Sequence, residues 1–127
     1  MRKLLLGIAL VVLAGCDVLG IGKTCTSELA WGVSLVLEDS ATGGPVVADE
    51  IRVVAQDGAY VEERDIDPNP PNPGPVSIVE DRSGTYRITV VASGYAPWVQ
   101  DGIQVGMEDE CHVRTVSLEA RLQPSEP

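Results

Sequence analysis

The chain has no phenylalanine, one histidine and three cysteines. Basic residues are scarce too: nine Lys and Arg against nineteen Asp and Glu. Each scarcity excludes something. A single histidine, His112, leaves no Ser/His/Asp or Cys/His arrangement that spacing can justify, so no triad-type nucleophile is nominated. Three cysteines far apart in the chain bring too few ligands together for a structural zinc site. A surface this acidic repels nucleic acid and anionic lipid headgroups, and its plainest use is solubility. Without phenylalanine, the interior must be Val, Leu and Ile, with Trp31, Tyr86, Tyr95 and Trp98 as large fillers. After Cys16 no stretch repeats apolar residues at helical spacing. No catalytic residue and no cofactor are therefore expected, and the chain is read as a non-enzyme.

What is present begins with an address. Arg2-Lys3 forms a positive start and Leu4 to Leu13 an apolar run of about ten residues, too short to span a bilayer comfortably. Leu13-Ala14-Gly15-Cys16 resembles a bacterial lipobox. Residues 1–15 are then a lipoprotein signal peptide, Cys16 is lipidated, and residues 16–29 are a tether. Two or more acyl chains make a stable membrane anchor, at about 0.8 kcal/mol per buried CH₂. The alternative is an ordinary secretory signal with a chance cysteine. Asp17 resembles an enterobacterial inner-membrane retention signal, and the choice between inner and outer membrane stays open. Without Arg2 and Lys3, seven basic residues face nineteen acidic ones, a net charge of −12. Export to an oxidising compartment lets the remaining Cys25 and Cys111 form a disulfide, worth on the order of 4 kcal/mol in the chain-entropy model. The alternative is a pair of free buried thiols.

The centre of the chain is Gly84 to Trp98. Tyr86, Ile88, Val90 and Ala92 share one parity, the mark of a half-buried strand, and Ser93-Gly94 closes it with a tight turn. Trp31 to Leu37 alternates in the same way. Ile51 to Gln56 leads through Asp57-Gly58, a hairpin signal, into the polar edge strand Ala59 to Arg64. Asp67 to Pro75 is too proline-rich for a sheet and forms a surface loop. Val76 to Glu80 is a short strand. Val99 to Val105 is bent or bulged at Asp101-Gly102. Glu108-Asp109-Glu110 is an acidic turn. His112 to Leu122 is the last strand, with a bulge expected near Arg114-Thr115. Gln123 to Pro127 frays. Seven short strands with turns between them predict an all-β sandwich.

The pattern G-x-Y-x-I-x-V-x-A-x-G-Y from Gly84 to Tyr95 resembles the carboxypeptidase regulatory-like domain, as does the turn from Asp39 to Pro45, D-x-x-T-G-x-P. The resemblance runs from Trp31 to Leu122 and implies a seven-stranded antiparallel Greek-key β-sandwich, prealbumin-like, over residues 30–122, before a disordered tail at 123–127. The proline-rich insert departs from the family pattern. The transthyretin fold also hosts 5-hydroxyisourate hydrolase, a family with several site histidines and a Tyr-Arg-Gly-Ser ending; this chain ends RLQPSEP and has one histidine, so that activity is rejected.

The expected role is a structural or protein-interaction module at the bacterial cell envelope, held to a membrane by its lipid and meeting an envelope protein through the proline-rich loop and the acidic turn. The alternative is a carbohydrate-binding module that stacks sugars on Tyr95 and Trp98. Asp65, Asp67 and Asn69 match the start of a calcium loop, with oxygen ligands at alternate positions. Pro70 and Val76 stand where an EF-hand needs Gly and Glu.

Overall fold

The computed structural model describes Cys25, residues 28–69 and residues 74–125. The expected signal peptide, Cys16, most of the tether, Pro70 to Pro73 of the proline-rich loop and the last two residues lie outside the described residues. The described chain is all-β. Its seven strands are β1 (Trp31–Asp39), β2 (Ile51–Asp57), β3 (Tyr60–Ile66), β4 (Val76–Glu80), β5 (Gly84–Ala92), β6 (Trp98–Val105) and β7 (Val116–Leu122). They form a three-stranded sheet in the order β4-β1-β7 and a four-stranded sheet in the order β3-β2-β5-β6.

The period-two pattern explains which faces meet. Val33, Leu35 and Leu37 of β1 and Tyr86, Ile88, Val90 and Ala92 of β5 all point into one core, joined by Ile78, Ile103, Ala120 and Leu122. Tyr86 is the one aromatic ring fully buried there. Trp31, Tyr95 and Trp98, expected as interior fillers, are only half-buried. Tyr95 and Trp98 pack against the aliphatic core from its margin and stay partly open to solvent.

Two turn readings find their geometry. Gly58 and Ala59 form the two-residue loop between Asp57 and Tyr60, with Gly58 at φ 60° and Ala59 at negative φ, the type II′ pattern. In β6, Asp101 and Gly102 together stand opposite Arg87, because Tyr86 pairs Ile103 while Ile88 pairs Gln100. That is a β-bulge, and Gly102 at φ 71° takes the conformation that side chains resist.

Three expectations are corrected. The strands are not all antiparallel: β1 and β7 run parallel, from Val33↔Val116 to Asp39↔Leu122. Alternation reports which face a residue takes, not which way its neighbour runs. A parallel pair needs a long crossover, and here everything from β2 to β6 supplies it. The last strand starts at Val116, not His112; Val113 instead bridges back to Met107 and Arg114 N–H donates to Gly106 O, making a small loop of its own. The tail does not fray from Gln123. Ala96 N–H donates to Gln123 O, Ser125 N–H donates to Gly94 O, and Pro124 bridges Tyr95. The expected disulfide between Cys25 and Cys111 is present, Cα–Cα 5.4 Å, with Cys25 exposed.

The sandwich therefore has two distinct ends. At the cystine end lie the start of β1, the β2–β3 hairpin, the β4–β5 turn and the β6–β7 loop. Asp81 N–H donates to Ala30 O and Arg82 reaches Asp57, which ties the sheets together there. At the tail end lie the β1–β2 turn, the departure of the proline-rich loop after Ile66, the β5–β6 turn and Gln123 to Ser125.

Candidate functional site

The tail end carries the most developed polar geometry. Asp39 closes β1 and is the one buried charged residue among those described. Its Oδ1 accepts the N–H groups of Ala41 (2.8 Å) and Thr42 (3.1 Å), and its Oδ2 accepts the Tyr95 hydroxyl at 2.7 Å. Gly43, at φ 75°, lets the chain turn back so that its own N–H donates to Asp39 O. Thr42 Oγ1 accepts the N–H of Gly44 at 3.1 Å, so Asp39, Thr42 and Gly43 of the turn motif each have a part in it. The Tyr95 hydroxyl and the two backbone donors hold the Asp39 carboxyl below its ordinary range despite its burial. Burial, and then the Asp39 carboxylate, push the Tyr95 phenol up. The bond spans from the three-stranded sheet to the β5–β6 turn and latches the two layers. Beside it, Ser93 Oγ accepts from the N–H groups of Asp49 (2.9 Å) and Glu50 (3.1 Å).

Next to this latch is a half-open cleft of about 560 Å³, lined by Asp49, Glu50, Ile51, Arg52, Asp65, Ile66, Val91, Ala92 and Ser93. Its floor is apolar and its rim mostly acidic. Arg52 is the cation of the rim, and its Nε donates to Asp65 Oδ1 at 2.9 Å.

At the cystine end a second network joins the edges of the two sheets. Tyr86 OH donates to Arg82 O, four residues upstream, and accepts from Arg82 Nη1, both at 2.8 Å. The Arg82 guanidinium also bonds Asp57 Oδ2 at 3.0 Å and stacks 4.0 Å above the Tyr60 ring. Tyr60 OH donates to Glu62 Oε1 at 2.7 Å; burial and this carboxylate push the phenol up to about 12. The same Glu62 oxygen accepts the N–H of Val79 at 3.2 Å. Val79 is fully buried at φ 68°, an unfavourable place for a β-branched residue. The reversed φ turns its side chain inward beside Ile78, and Gly32 leaves the room: a Cβ there would stand 3.0 Å from Val79 Cγ1 and from Val105 Cγ1.

The other candidates fall as follows. Tyr95 spends its hydroxyl on Asp39 and also accepts from Val47 N–H at 3.4 Å, so its polar tip faces inward. Trp98 stands opposite Val90 in register and shares its inward-facing side. Asp65 is held by Arg52, and Asp67 Oδ1 accepts the N–H of Asn69 at 2.9 Å. No group of three or more His, Cys, Asp or Glu placed to hold a metal occurs among the described residues. His112 Nδ1 lies 3.3 Å from Asp81 Oδ1. Burial raises the Asp81 carboxyl, but the Ala30 N–H and His112 outweigh it and leave it low. In the acidic turn, the exposed Asp109 bends back over its own turn to accept from the N–H groups of Cys111 and His112, each at 2.8 Å, which holds it low. Glu108 pairs with Arg114 at 2.7 Å. The Asp39–Tyr95 latch and the Glu62–Val79 bond were not foreseen. The first had a signal in the turn motif; the second had none, since nothing in a sequence marks an inverted valine.

No protein-family model matches this chain, and no curated protein matches it either.

Proposed function

We propose that this protein is a membrane-anchored bacterial lipoprotein whose non-catalytic sandwich serves as a structural or protein-interaction module at the cell envelope. The Cys25–Cys111 bond carries the reading. It presupposes an oxidising compartment, and it fastens the segment just after the lipobox-like Leu13-Ala14-Gly15-Cys16 to a packed domain. The finer assignment, a prealbumin-like Greek key resembling the carboxypeptidase regulatory-like domain, has two supports. The glycine and aromatic pattern from Gly84 to Tyr95 coincides with β5 and its turn. The Tyr86 hydroxyl bonds the backbone upstream, as tyrosine corners of Greek-key sandwiches do.

The tail end is where a protein partner is sought. Its cleft joins an apolar floor to an acidic rim, which complements a basic segment carrying some apolar side chains. The carbohydrate reading is the competitor, and the inward-facing Tyr95 hydroxyl and Trp98 ring count against it.

Intact-mass measurement of membrane-extracted protein tests the anchor: a mass starting at Cys16 with diacylglycerol and acyl additions is expected, lost in Cys16→Ala. Cross-linking in the envelope, set beside a glycan array, tests the role. A specific envelope protein with no glycan hits supports it; glycan hits abolished by Trp98→Ala transfer the function to sugar binding.

A further inference from the structure

We infer that the outer edge of β7 is a docking site for an extended peptide, which joins the three-stranded sheet as an added antiparallel strand and sets a basic residue opposite Glu119. The inference rests on the interaction-module reading and goes beyond it by naming a second surface and the chemistry of what it takes.

Backbone direction carries the argument. In a strand, a residue's N–H and C=O point to one side and its neighbours' point to the other. Leu122 O accepts the N–H of Ser40, so the groups of Leu122, and by alternation those of Ala120, Leu118 and Val116, face β1. Those of Ser117, Glu119 and Arg121 face away, and β7 ends its sheet, so no described strand meets them. The fold itself shows what this side accepts. Just beyond β7, Gln123 O takes the N–H of Ala96 and Ser125 N–H donates to Gly94 O, around the antiparallel bridge Tyr95↔Pro124. Those rungs stop at Pro97, which has no N–H to offer, and from Trp98 the chain pairs with β5 instead. The protein's own turn thus begins a ladder on this edge and leaves it open from Arg121 back to Ser117.

The other edges are guarded. β3 carries Glu62, Glu63, Arg64 and Asp65 in a row, β4 has five residues with Val79 at reversed φ, and β6 holds the bulge at Asp101-Gly102. β7 has seven residues in unbroken register with β1 and no proline. Its inward side chains Val116 and Leu118 pack on the core yet stay partly open, so apolar side chains of an added strand would cover them. On the outward face Glu119 crowds Glu38 and raises the Glu38 carboxyl, and Arg121 approaches Glu38 only to 3.7 Å. A lysine or arginine opposite Glu119 relieves that crowding. A second copy of this acidic chain brings the wrong sign, so the guest is a foreign basic segment.

The test uses the full chain and two capped peptides, Thr-Val-Lys-Val-Thr and Thr-Val-Glu-Val-Thr, at millimolar concentration, read by amide hydrogen exchange. Without peptide, the amides of Ser117, Glu119 and Arg121 should exchange much faster than those of Leu118, Ala120 and Leu122; equal protection means that the edge is already covered and overturns the inference. The lysine peptide should slow the three outward amides several-fold and the glutamate peptide should not. In Glu119→Lys that preference should reverse, with unchanged protection of Leu118 and Ala120 showing the fold intact. Slowing by neither peptide overturns the edge, and equal slowing by both overturns the basic partner. Photo-cross-linkers placed at Ser117 and at Val91 in the envelope separate this inference from the reading it rests on. A specific protein caught through Val91 alone overturns the edge and leaves the interaction module standing, whereas none caught through either position overturns both.

Discussion

Gly32 and Val79 show how one residue's freedom serves another's strain. Val79 can turn its side chain inward because Gly32, opposite it in the sheet, has none. Gly32→Ala would press a methyl against Val79 and Val105, both in the sealed core, and should cost about 1–3 kcal/mol in urea unfolding. Glu62→Ala would leave the buried Val79 N–H without its acceptor and should cost a similar 1–3 kcal/mol, most of it recovered in Glu62→Gln, whose amide oxygen can still accept. Asp39 makes a pH prediction. Its carboxyl is held low in the folded chain by Tyr95, Ala41 and Thr42, so the unfolded chain binds the proton first as acid is added. The stabilisation is complete above the ordinary aspartate value of about 3.9 and fades as the pH falls through the lower folded value. Asp81 and Asp109, also held low, act in the same direction. Stability measured from pH 6 down to pH 2 should therefore fall less steeply in Asp39→Asn than in the unaltered chain, and an unchanged slope would remove Asp39 from the account.

Elements that obey a local rule were legible. Tyr86, Ile88, Val90 and Ala92 announce the inward face of β5 because strand side chains alternate, and Asp57-Gly58 and Asp101-Gly102 announce a hairpin and a bulge because glycine alone takes those angles easily. What depended on distant partners was not legible. Nothing in Val33, Leu35 and Leu37 says that β1 would lie parallel to Val116 through Leu122. Nothing in Gln123 to Ser125 says that their backbone would find Gly94 and Ala96. The latch was half-legible: the Asp39 turn could be read, but its long-range acceptance of the Tyr95 hydroxyl could not. Gly102→Val tests the bulge. A Cβ there would meet no atom within 4 Å, so the backbone conformation dominates the effect, and a loss of about 1–2 kcal/mol is expected from forcing a β-branched residue to φ 71°. No loss would mean that β6 can shed the bulge.

At the scale of the molecule, the disulfide closes a loop of 86 residues, nearly the whole sandwich. Cys111→Ser should lower stability by about 4 kcal/mol in the chain-entropy model, read as a shifted urea midpoint under non-reducing conditions. The parallel pairing of β1 with β7 bears on how the protein comes into being. A chain delivered N-terminus first releases β1 long before its β7 neighbour exists. Meanwhile β2, β3, β5 and β6, which need only each other, can assemble into their sheet. The opening strand must therefore wait, sticky and unpaired on that side, until the closing strand has emerged, and in that interval the nascent domain is most in need of a chaperone.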